Sequence, residues 1–151
     1  MKHEFDIDID VALIWFHFYQ LGIAFLLSIP IAINRENKSE GAGLRTFPLV
    51  AISCCAFMLV AMDVYSTSED AEARVMYGII TGIGFIGGGA IIKQSKNVRG
   101  TATAAGIWLT GAIGVSVAYA RYEIAIVLSL IGFLLFQFAD PVKSKYKADN
   151  P

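Results

Sequence analysis

The chain has 151 residues, of which 56% are hydrophobic and 17% charged, with a formal net charge of −1 at pH 7. Soluble domains usually carry about 25% charged residues, so this composition excludes an ordinary soluble domain. The charges sit between five apolar runs, at roughly 11–33, 47–65, 75–92, 101–120 and 124–139. About 20 apolar residues cross a bilayer core, and no run alternates as a barrel strand would. The expected fold class is therefore all-α: an integral membrane helical bundle with five transmembrane helices.

Residues 1–10 are acidic, with Glu4, Asp6, Asp8 and Asp10. A secretory leader would start basic and end at a small-residue cleavage site. Here Arg35 and Lys38 follow the first run, which is read as an anchor. Inside it lie His17 and Gln20. An ionisable group in a span is a functional candidate by default, but His17 between Trp15 and Tyr19 also fits an interfacial position. The next loop carries Arg35, Glu36, Arg45 and Thr46. Phospholipid contact explains it plainly; an ordered network of guanidiniums around one carboxylate is the sharper reading.

The second run contains adjacent Cys54 and Cys55. No CxxC or Cys/His cluster exists, so packing is the plain account and a redox or partner-contact role the alternative. Asp63, near the outer end of this run, is either a boundary residue or an outward-facing polar site. In the loop from Asp63 to Arg74, Ser66, Thr67 and Ser68 mark a turn or helix cap.

The third and fourth runs are glycine-rich. Gly78 and Gly82 form one i,i+4 pair, Gly84 and Gly88 another. Gly87, Gly88 and Gly89 are consecutive, and each costs roughly 1 kcal/mol of helix propensity against Ala. A break there, or a tight crossing, is expected. Beyond the basic loop from Lys93 to Gly100, Ala102, Gly106, Thr110, Gly114 and Ala118 recur every fourth position and so share a helix face. Thr103 and Trp108 accompany that face as candidate residues. Small residues at this spacing let helices approach closely in lipid. The expected contact is span three on span four, with a homo-oligomer or foreign-partner interface as the alternative. The fifth run ends in a basic tail, 140–151.

Orientation follows from charge. Segments 1–10, 62–75 and 121–123 hold three Lys or Arg against nine acids, whereas the others hold nine against four. The positive-inside rule places the second set in the cytoplasm, with the N-terminus outside and the C-terminus inside. A weak repeat relates Leu21–Phe25 to Thr81–Phe85. No catalytic set, Walker loop or metal-ligand cluster is present. The GxGxxG spacing of Gly82, Gly84 and Gly87 follows no strand and sits at membrane depth, so it fails the context a phosphate loop needs. No enzyme activity, cofactor, metal or nucleic-acid partner is expected.

Three ordered blocks carry a resemblance. Arg35-Glu36 with Gly41-Ala42-Gly43-Leu44-Arg45-Thr46 and Leu49-Val50, then Gly82 to Ile91, then Val98 to Gly114 resemble the conserved blocks of the MgtC/SapB membrane proteins. Departures are Ala102, where the family carries Thr, and a missing glycine before the Arg-Glu pair. The resemblance runs over roughly residues 20–125 of the membrane domain, 11–139, and not the soluble C-terminal domain of some members. It implies a bacterial inner-membrane protein linked to growth at low Mg²⁺ and, in pathogens, to virulence inside macrophages. It further implies restraint of the rotary ATP synthase rather than carriage of Mg²⁺. The expected function is regulatory, through binding other membrane proteins in the lipid bilayer, with a homo-oligomer expected. The alternative is a transporter or channel for Mg²⁺, another cation or a small solute.

Overall fold

Helix α1, Val11–Glu36, begins where Asp10 accepts the amide of Ala12 at 2.8 Å. Side chains at a helix start satisfy amides the helix cannot. The computed structural model describes residues 10–36, 42–66, 68–94 and 97–149, with no side-chain description at 94, 97 and 139–149. Glu4, Asp6, Asp8, Lys38, Gly41 and Thr67, named above, lie outside the described residues. Four more helices follow: α2 Thr46–Val64, α3 Glu69–Gly89, α4 Thr101–Ala118 and α5 Tyr122–Asp149. The all-α reading holds, with five helices among the described residues. Three of them (α1, α2 and α4) are long and apolar enough to cross a membrane, and Tyr122–Phe138 is a shorter apolar helix.

Two departures appear. The segment expected as a plain loop forms a two-stranded antiparallel hairpin, β1 Ile92–Gln94 with β2 Asn97–Arg99. Strands this short carry no readable period. Helix α5 also continues past the expected end of the fifth span at 139.

Helix α4 is central and packs on α1, α2, α3 and α5, most extensively on α2. Half of its most apolar 18-residue window is buried, against 17% for α1, so α1 faces outward. The core gathers Ile31, Phe47, Met58, Ile107, Ile113 and Val117. Pro30 lies inside α1 and leaves one carbonyl without its helical amide. On that stretch Ser28 donates to Phe25 O at 2.7 Å and Ser129 of α5 to Leu27 O at 2.6 Å. Both hydroxyls thus find carbonyls flanking the one Pro30 frees, that of Leu26, so neither donor is left unpaired.

The ends are signalled locally. Ser68 caps α3 by accepting the amide of Ala71 at 3.3 Å, and Glu69, Asp70 and Glu72 follow on the positive end of its dipole. The α4–α5 turn places Ala120 at φ 53°, with Arg121 N donating to Ser116 O at 2.9 Å. That is a Schellman closure carrying Ala where Gly is usual.

Candidate functional site

The small residues of α4 do not face α3 as expected. A Cβ at Gly114 would overlap the carbonyl of Ala51, and one at Gly106 would lie 2.6 Å from Phe47 Cε1. Both neighbours belong to α2. Thr110, fully buried between them, donates back to Gly106 O at 3.1 Å and Ile107 O at 2.9 Å. The reason is geometric: i,i+4 spacing defines a helix face but not which neighbour covers it.

Helix α3 does approach α4, through other residues. A Cβ at Gly87 would sit 3.4 Å from Ala104 O, and one at Gly84 would sit 3.8 Å from Trp108 Nε1. Ile83 fills the space that a side chain at Gly111 would need. The triple glycine is not a break at membrane depth. It forms the last turn of α3, closed by Ala90 N to Gly87 O and Ile91 N to Gly88 O, both 3.1 Å. Gly88 and Gly89 face open space, as do Gly78 and Gly82. Trp108 is half exposed.

Beyond α3 the chain passes through the hairpin to Gly100, at φ 86°. A Cβ there would overlap Ala90 O, so this position needs glycine on two counts. Gly100 also leads directly into α4, so it sets where that helix begins.

At this hairpin end the first basic loop supplies a polar cluster. Arg35, 8% exposed, donates from Nη2 to Thr103 Oγ1 at 2.9 Å, and its guanidinium carbon lies 5.2 Å from the centre of the Phe136 ring. Asn34 donates to Gln137 Oε1 at 2.7 Å. Glu36 turns the other way and accepts the amide of Leu44 at 2.8 Å, pinning the returning chain. A side chain at Gly43 would collide with that carboxylate. Arg45 is exposed at the start of α2, with Thr46 half-buried behind it. Among the described residues no ion pair joins Glu36 to Arg35 or Arg45, so each of the three serves separately.

The structure thus joins Arg35 to Thr103 and sets Glu36 against the start of α2. Asp63 is exposed near the end of α2, at the opposite end of the bundle, where Tyr119 donates to Glu72 Oε2 at 3.3 Å. Gln20 and His17 each keep a buried atom without a partner, Oε1 and Nδ1. Cys54 and Cys55 are buried and free. No group of three or more His, Cys, Asp or Glu that could hold a metal occurs among the described residues.

Sequence reasoning missed Asn34, Gly111, Phe136 and Gln137 as site residues, and had Gly43 only within a block of the family resemblance. A polar residue inside the apolar run Leu134–Phe138 was the readable signal for Gln137. Nothing local points to Phe136. An open feature was also missed: an apolar groove of about 770 Å³ between α2 and α3, lined by Leu49, Ser53, Phe57, Gly78, Gly82 and Phe85 among others.

The family model for the MgtC family matches residues 21–145. The chain is 38% identical over 108 residues to Protein MgtC of Salmonella typhimurium (strain 14028s), covering 72% of this chain and 46% of that protein. It is 35% identical over 113 residues to the Escherichia coli K12 protein named "Putative magnesium transporter YhiD", covering 71% and 53%. An uncharacterized protein of Synechocystis is 34% identical over 112 residues, with 74% and 47% covered. The chain spans about half the length of these curated relatives. No solved structure matches it. On the family match and on these relatives, the chain belongs to the MgtC family.

Proposed function

We propose that this protein is a regulator in the bacterial inner membrane that acts by receiving a transmembrane helix of another membrane protein. Its five helices run with the N-terminus outside and the hairpin end in the cytoplasm, the orientation the basic loops favour. The carrying observation is the open face of α3. Gly78 and Gly82 meet nothing within 4 Å of a would-be side chain, and both line the groove beside α2. Small residues four apart in an apolar groove allow a helix backbone to approach closely, which is how helices associate in lipid. Phe85, 85% exposed on the groove rim, offers an aromatic contact to the same helix. The family resemblance names the rotary ATP synthase as the expected partner and low-Mg²⁺ growth as the setting.

The test is a photo-crosslinking residue at position 85 in the full chain, in living cells under Mg²⁺ limitation. The expected result is one discrete adduct with a different membrane protein. An adduct of twice the chain's own mass identifies a second copy as occupant and overturns the foreign-partner reading. Lipid-only adducts overturn docking altogether.

The transport reading has one support, the name of the Escherichia coli relative. Purified protein in liposomes decides it: protein-dependent cation flux favours transport, and its absence favours the regulator.

A further inference from the structure

Two positive features meet at the hairpin end with no counter-charge paired to them among the described residues. The first is Arg35. Its Nε is buried with no partner, its Nη2 bonds the neutral hydroxyl of Thr103, and the Phe136 ring beside it carries no net charge. Glu36, the adjacent acid, accepts from Leu44 N instead. The single ion pair among the described residues is Arg121–Glu123, on the turn joining α4 to α5 at the opposite end of the bundle. A guanidinium cannot shed its proton, and burying its charge unpaired is strongly unfavourable.

The second is the start of α4, an 18-residue helix. Gly100 offers no capping side chain. The exposed Thr101 and Ala102 follow, and their amides meet no acceptor among the described residues. A helix start carries roughly half a positive charge. Thr103, the third residue of α4, is the group Arg35 reaches. The guanidinium is therefore aimed at the first turn of a helix whose own field is positive.

We propose that this end of the bundle binds a phosphate-class anion between the Arg35 guanidinium and the first-turn amides of α4. Tetrahedral oxyanions accept from both donor types at once. Lys93 and Arg99, exposed on the hairpin leading into Gly100, raise the local positive potential. The chemistry suits either the headgroup phosphate of an anionic lipid or a soluble phosphate compound. The site is distinct from the α2–α3 groove, so it stands whether or not that groove receives a partner helix.

The test uses the full chain in maltoside micelles, which contain no phosphate, with thermal unfolding as readout. One arm titrates inorganic phosphate against chloride at matched ionic strength; the other dopes phosphatidylglycerol into the micelles. The unfolding midpoint of the parent chain is expected to rise in at least one arm. A rise with inorganic phosphate identifies a soluble ligand, and a rise confined to phosphatidylglycerol identifies a lipid headgroup. Arg35→Gln is expected to weaken the response at least about tenfold. Thr101→Asp places a carboxylate on the helix start, where it favours the fold. It is expected to stabilise the anion-free protein while weakening the response at least about threefold. Should Arg35→Gln not fold, Thr101→Asp alone decides. No rise in either arm, or equal rises in the parent and in Thr101→Asp, overturns the proposal.

Discussion

Helices α3 and α4 are both rich in glycine, yet most of their glycines do opposite things. On α4, Gly106, Gly111 and Gly114 are buried, each covered by a side chain or carbonyl of a neighbouring helix. On α3, Gly78, Gly82, Gly88 and Gly89 meet nothing within 4 Å. Beside α3 lie the large groove against α2 and a second apolar cavity of about 270 Å³ against α4 and α5. The same residue type thus closes one seam and leaves another open. Filled small-residue seams hold a membrane fold together, and open ones leave room for an added helix.

Substitutions can break that contrast. Gly114→Leu drives a side chain into the Ala51 carbonyl, which cannot yield without moving α2. It is expected to cost about 3 kcal/mol or more, read as loss of the monodisperse peak in fluorescence size exclusion. Gly100→Ala is expected to cost about 2 kcal/mol, because the left-handed backbone and the Ala90 carbonyl both oppose a Cβ. Thermal unfolding in detergent measures it. Thr103→Val removes the acceptor of the Arg35 guanidinium and is expected to cost about 1–3 kcal/mol on the same measurement. A smaller gain is expected from Ala120→Gly, about 0.5–1 kcal/mol, because glycine suits the left-handed turn position. Gly78→Leu and Gly82→Leu are expected to change stability least, by under about 1 kcal/mol, since open space receives the side chains and leucine favours the helix.

The sequence made some of this legible and not the rest. Five apolar runs predicted five helices because hydropathy over about 20 residues is a local signal. Ser68 was readable as a cap for the same reason. The regularly spaced small residues of α4 showed that one face must pack closely. They could not show that α2, rather than α3, covers it, because spacing carries no information about a partner more than 50 positions away. Gly87–Gly89 pointed to either a mid-membrane break or a tight crossing, because three glycines weaken any helix. They stand where α3 ends, so the weakness falls on a turn that must form anyway. At the site, Arg35 and Thr103 were each singled out, but their pairing across 68 positions was not visible. The partners Asn34 and Gln137 were missed for the same reason, being 103 positions apart.

The central claim is that the open face of α3 receives a helix from another membrane protein. The most direct measurement compares the parent chain with the Gly78→Leu and Gly82→Leu double variant in the crosslinking experiment at position 85, with unfolding midpoints taken alongside. The account predicts a folded variant whose partner adduct falls at least about tenfold, because leucine fills the groove the helix would enter. A folded variant that keeps the adduct at the parent level contradicts it.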